Sequence, residues 1–120
     1  PPRSTLFPYT TLFRSFVKDL KQQHRFEDVM LFTFSEFGRR VNQNASNGTD
    51  HGTANNMFLV SGGLKQKGVL NPLPDLSDLN EGDLKYNVDF KNVYATILKK
   101  WLNADDKAIL SKQYEYMNFI

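Results

Sequence analysis

The sequence predicts an α/β fold, and within that class one part of a domain built on a parallel sheet. An amphipathic helical stretch runs directly into a short, almost continuously apolar segment, Val29 to Phe34. A strand buried on both faces of a parallel sheet carries that pattern, because helices cover it on either side. Only one further good strand candidate follows, Met57 to Val60. Parallel strands need neighbours and crossover connections, so this shortage points to a fragment. Phe16 to Ile120 is accordingly expected to be one part of a larger domain.

The residues in front of that part stand apart. Pro1 to Ser15 (PPRSTLFPYTTLFRS) back-translates without a break into a common short-read sequencing adapter, and we read it as translated adapter without function. Its Thr, Leu, Phe and Tyr content imitates a strand. It is no signal peptide, because Pro8, Tyr9, Thr10, Thr11 and Arg14 interrupt any apolar core and no small-residue cleavage site follows. The 120 residues carry 15 Lys and Arg against 13 Asp and Glu. Arg3 and Arg14 lie in the adapter, so what remains is balanced at thirteen of each sign. With no basic stripe and no interleaving of basic and aromatic residues, neither nucleic-acid binding nor a polybasic membrane contact is supported. No apolar run approaches the roughly 20 residues that cross a bilayer, so no transmembrane segment is expected. There is no cysteine to report a redox compartment.

The elements follow from spacing. Phe16, Val17, Leu20 and His24 recur at helical intervals, which predicts a helix from Ser15 or Phe16 to about Gln23. After the apolar strand, Asn42 to Thr49 (NQNASNGT) is polar and turn-forming, with Asn47-Gly48 as its tight turn. The glycosylation-like tripeptides at Asn44 and Asn47 are of a kind common by chance in such loops. Gly62, Gly63 and Gly68 bracket a short basic turn, and Asn71 to Asp83 is a Pro/Asp/Asn-rich meander. Asp89 to Trp101 is the clearest helix: Phe90, Val93, Tyr94, Ile97, Leu98 and Trp101 share one face, and Asp89 is placed to cap it. Asn103 stops it, Ala104 to Leu110 adds another turn or two, and the tail Tyr114 to Ile120 is expected to cover a core edge.

Two clusters carry possible chemistry. Ser35-Glu36-Phe37-Gly38-Arg39 follows the apolar strand, and ligands of open α/β sheets bind beyond the carboxyl ends of the strands. Glu36 could ligate a metal, and Arg39 could hold an anionic group with its fork of donors. A Glu36 ion pair with Arg39 or Arg40 that merely stabilises a loop is the simpler alternative. Gly48-Thr49-Asp50-His51-Gly52 places a carboxylate beside an imidazole, hard oxygen with borderline nitrogen, which suits Zn²⁺ or a similar ion. A hydrogen-bonded turn accounts for the same residues. His24, near a helix end, is expected to be exposed.

Taken in order, the apolar strand with Ser-Glu-Phe-Gly-Arg, then Gly-Thr-Asp-His-Gly, a strand with Gly-Gly, and later Val-Asp-Phe-Lys-Asn-Val-Tyr-Ala-Thr-Ile-Leu with Trp-Leu resemble a large bacterial family. That family is catalogued as a domain of unknown function within the alkaline phosphatase and sulfatase superfamily, and many of its members carry twin-arginine export signals. The resemblance covers about Phe16 to Leu110. It implies that Phe16 to Ile120 is the C-terminal fragment of an alkaline-phosphatase-like parallel-sheet domain and, for the intact protein, a periplasmic or cell-envelope location. It also implies metal-dependent hydrolysis of a small anionic phosphate or sulfate ester. Better-known members end the corresponding strand in Ser-Asp-His-Gly and use a later His-Gly. By that similarity Glu36 and His51 would be metal ligands, for Zn or Mn, with Asp50 as a further candidate and Arg39 steadying the anion. Phe37 stands where the pattern has a second ligand, and a phenyl ring cannot bind a metal. The superfamily's nucleophile has no counterpart here, so no catalytic nucleophile is expected in this chain and the fragment alone is expected to be inactive. A non-catalytic envelope binding protein on the same fold is the alternative.

Overall fold

The computed structural model describes residues 6–120, with side chains described from Thr11 onward. In chain order the elements are helix α1 (Leu6–Gln22), strands β1 (Leu31–Phe32), β2 (Gly38–Gln43), β3 (Thr49–Gly52), β4 (Leu59–Val60), β5 (Leu79–Asn80) and β6 (Asp83–Leu84), helix α2 (Phe90–Thr96), a π-helical turn (Ile97–Trp101) and helix α3 (Asp106–Leu110). They form two compact units. The first holds α1, β1 and β4, ending at Gly63; the second holds residues 33–58 and everything from Leu64 to the C-terminus.

In the first unit, α1 begins upstream of the predicted Phe16 and runs through most of the stretch read as adapter. Pro8 falls in its first turn, where a missing N–H breaks no helical bond. Pro1 to Thr5, the rest of that stretch, lie outside the described residues. The helix closes with His24 in the left-handed region (φ 55°). Arg25 N–H donates to Leu20 O at 2.8 Å and His24 N–H to Lys21 O at 3.2 Å, the paired bonds of a left-handed cap. His24 is exposed, as expected, and its place in the fold is the helix stop.

The predicted strand Val29 to Phe34 contracts to the two residues of β1, and Met57 to Val60 to the two of β4. They pair with each other antiparallel, Leu31 with Val60 and Phe32 with Leu59. All three described ladders are antiparallel, so the expected parallel sheet is not among the described residues. The chain is mixed helix and strand. An apolar run reports burial, not the direction of the neighbour; direction follows from the connection. Here the connection between β1 and β4 carries a hairpin in place of a crossover helix. Each predicted strand also has an exposed phenylalanine, Phe34 by 74% and Phe58 by 66%.

The core of the second unit lies under α2. Asp89 caps this helix as predicted, its carboxylate accepting from Lys91 N–H at 2.9 Å. Val93, Ala95 and Ile97 are buried, and Phe119 from the C-terminal tail belongs to the same core with 1% exposure. The tail is tied down by polar contacts. Buried Thr96 donates through Oγ1 to Asn92 O at 2.6 Å and accepts from Met117 N–H at 2.8 Å, while Lys100 Nζ donates to Met117 O at 2.7 Å. From the next residue onward the predicted single helix widens into the π-helical turn, which Asn103 ends with φ 51°. The Thr96 back-bond, which competes for a helical carbonyl and bends helices, sits where the widening starts. Asp105 caps α3 by accepting from Ala108 N–H.

Within the predicted meander the structure has a second hairpin, β5 to β6. Its loop is Glu81-Gly82, both at positive φ (51° and 89°), the conformation of a two-residue turn that matches strand twist. No described helix is long and apolar enough to cross a membrane.

Candidate functional site

The two sequence clusters, expected as loops, run into the two strands of one hairpin in the second unit, Gly38 and Arg39 opening β2 and Thr49 to Gly52 forming β3. β2 and β3 run antiparallel, with Gly38 opposite Gly52, Arg39 opposite His51 and Gln43 opposite Thr49. Two residues more lie between Arg39 and Gln43 than across the ladder, so the ribbon bulges there. The loop is built by Asn44: its Oδ1 accepts from Ser46 N–H at 3.0 Å and Gly48 N–H at 3.1 Å, and its own N–H donates to Gly48 O at 2.8 Å. The chain reverses at Ala45 and Ser46, inside a turn closed by Asn47 N–H to Asn44 O at 3.2 Å; Asn47, at φ 60°, and Gly48 follow this turn and do not form the predicted tight turn themselves.

Side chains alternate between the faces of such a ribbon, which separates neighbours in sequence. On one face stand Phe37, Arg39 and His51. The Phe37 and His51 rings stack with centroids 3.8 Å apart and planes 21° from parallel. The Arg39 guanidinium carbon lies 5.6 Å from the Phe37 centroid, and Nη1 donates to Thr49 O at 2.7 Å. Arg40 turns the other way, with Nε 3.3 Å from Asp83 Oδ1 on β6. That contact is an ion pair without hydrogen-bond alignment, since Asp83 Oδ1 is buried with no hydrogen-bond partner.

Phe37 is fixed through its backbone. Its carbonyl accepts from Ser35 Oγ at 2.8 Å and from Asn55 Nδ2 at 3.0 Å. Gly38, next along, is buried, and a Cβ there would stand 1.5 Å from Ala54 O. Gly52 opposite would place a Cβ 2.8 Å from Arg39 C. Only glycine permits these backbone approaches.

Each expected site residue can now be located. Arg39 and His51 are brought together, in register and exposed on one face. Among the described residues Arg39 forms no ion pair, so its charge faces solvent beside the imidazole. Glu36 is exposed in the bend before β2 and among the described residues pairs with neither arginine; Arg40 pairs with Asp83 instead. Asp50 lies beside His51 in sequence but on the opposite face, and its Oδ1 accepts from Asn44 Nδ2 at 2.9 Å. Among the described residues no three His, Asp or Glu side chains converge as a metal shell would require. Glu36, His51 and Asp50 by themselves therefore do not fit a complete divalent-metal site. Phe37, Thr49 and Asn55 were missed as contributors. The period-two spacing of Phe37 and Arg39 was the available signal for the first.

No curated protein and no solved structure matches the chain. A family model described as "Protein of unknown function (DUF1501)" matches residues 13–117. The match takes in the hairpin with Arg39 and His51, the capped helix α2 and most of the tail that closes the core, and on that extent the chain belongs to the DUF1501 family.

Proposed function

We propose that this chain contributes an anion-holding face to an exported protein of alkaline-phosphatase-like fold that handles phosphate or sulfate esters. The observation that carries the reading is the Arg39–His51 register: a guanidinium without an ion-pair partner among the described residues and an imidazole held side by side on an exposed strand face. A guanidinium offers several parallel N–H donors that match the oxygens of a tetrahedral anion, and an imidazole adds one more. Glu36 and His51 join a metal shell in this reading only together with donors from outside the described residues.

Metal content and hydrolysis of aryl phosphates and aryl sulfates test it in the intact protein, purified without chelator, for wild type, Arg39→Ala and His51→Ala. Ester hydrolysis that falls at least tenfold in both variants supports the reading. An intact protein that neither hydrolyses nor binds such anions rejects it. A second reading, a non-catalytic anion-binding protein of the cell envelope, is favoured by the stack of Phe37 on His51 and the turning away of Asp50. Binding without turnover, and without metal after Zn²⁺ or Mn²⁺ is supplied, would select it.

A further inference from the structure

We infer that Phe37 is the positioning residue of this face, a rigid floor that holds the His51 imidazole and the Arg39 guanidinium together for a tetrahedral oxyanion, without help from a metal. The inference rests on the anion-holding reading above.

The side chains that would touch the anion are long or free to rotate, and exposed ones sample several rotamers. Here the imidazole lies flat against Phe37 at 3.8 Å, and the guanidinium carbon stands 5.6 Å from the same ring. One apolar plane thus restrains both polar groups, and holding donors in place before binding reduces the entropy lost when the anion arrives. Phe37 can serve because it is itself held. Ser35 and Asn55 fasten its carbonyl at 2.8 and 3.0 Å, and the close approach of Gly38 to Ala54 allows the backbone behind it no slack. Arg39 is further tied at 2.7 Å to Thr49 O, which fixes one edge of its fork and leaves the others to face the ligand. No carboxylate forms an ion pair with Arg39 among the described residues to compete for it.

The test is inorganic phosphate binding to the intact protein in chelator at fixed pH, followed by NMR, for wild type, Arg39→Gln, Phe37→Leu and Phe37→Tyr. In wild type the His51 ring protons are expected upfield, shielded by the Phe37 face, and phosphate should perturb them. Arg39→Gln should abolish the phosphate response. Phe37→Leu should remove the upfield shift and weaken phosphate binding about threefold to tenfold, the range a stacked aromatic pair contributes. Phe37→Tyr, which keeps the ring, should restore both. If Phe37→Leu fails to fold, Asn55→Ala, which removes one of the two side-chain bonds to the Phe37 carbonyl together with the bond from Asn56 N–H, should reduce the shift and the affinity in the same direction. Phosphate affinity unchanged in Phe37→Leu or Asn55→Ala overturns the role of Phe37 and leaves the anion-holding reading standing. No phosphate binding by wild type in chelator overturns the metal-free positioning role, and the anion-holding reading falls with it if binding is also absent when Zn²⁺ or Mn²⁺ is supplied.

Discussion

Gly38→Ala is the smallest change that should dislodge the face. An alanine Cβ at this position would stand 1.5 Å from Ala54 O and 2.3 Å from Ala54 C, where real Cβ atoms essentially never come within 3.0 Å. The backbones must part by roughly 1.5 Å, because the obstruction is main chain and cannot swing aside. Overpacking of this kind costs about 1–3 kcal/mol. The movement also breaks the bond from Asn55 to Phe37 O, worth about 1 kcal/mol more. The expected total is about 2–4 kcal/mol. Two other glycines serve as controls. Gly48→Ala meets nothing closer than Asn44 Oδ1 at 3.7 Å and should stay within about 0.5 kcal/mol. Gly68→Ala meets open space but sits at φ 87°, so it should cost about 1 kcal/mol through backbone strain alone. Urea denaturation followed by Trp101, the sole tryptophan and in the same unit as all three glycines, ranks the variants. If Gly38→Ala is as stable as Gly48→Ala, the steric account of this strand is wrong.

Two further outcomes follow from polar groups elsewhere in the second unit. Asp106 is buried to 3% exposure, and both its oxygens accept at 3.1 Å from the Tyr116 hydroxyl, so Tyr116→Phe should destabilise by about 2 kcal/mol. A double-mutant cycle with Asp106→Asn measures the coupling, and strict additivity would refute it. Asp75 is exposed, and the Ser77 hydroxyl, together with the Ser77 N–H, holds its carboxyl below the ordinary carboxylate range. A folded-state pKa depressed in this way contributes stability above the unfolded-state value, which is lost as pH falls through the lower folded one. An NMR titration should find Asp75 titrating below a free aspartate, and Ser77→Ala should bring it back up; an unchanged midpoint would dismiss the hydroxyl as the cause.

The parts of the fold legible in the sequence were those set by local chemistry. Asp89 caps α2 because a side-chain oxygen there satisfies an orphan N–H, and this needs no tertiary context. Asn47 and Asn103 occupy the left-handed region that asparagine tolerates, so the helix stop and the polar loop were readable, although the loop turns at Ala45 and Ser46, two residues before the expected place. The aromatic tail was readable as a core cover, and Phe119 is one. Sheet direction was not legible, because Val29 to Phe34 carries a burial pattern that fits either orientation of partner. The β5–β6 hairpin was hidden by Glu81, which takes the positive-φ place usually given to asparagine or aspartate in such turns.

The candidate site was legible as a set of residue types but not as a grouping, and the reason is the ribbon itself. Asp50 and His51 looked like a pair because they are adjacent, and Arg39 and Arg40 looked interchangeable as partners of Glu36. In a strand adjacency is separation: Asp50 and Arg40 go to the face opposite His51 and Arg39, where Asn44 and Asp83 hold them. The groups that do meet, Arg39 and His51, are far apart in sequence and are matched by register. That register is supported by the Asn44 turn at one end and by the facing glycines, Gly38 and Gly52, at the other. A one-residue slip would send His51 to the other face and Asp50 toward Phe37, exchanging an imidazole for a carboxylate beside Arg39. The cation would then be neutralised in place. The glycines and the turn asparagine, which touch no ligand, are therefore what keeps this face suited to an anion.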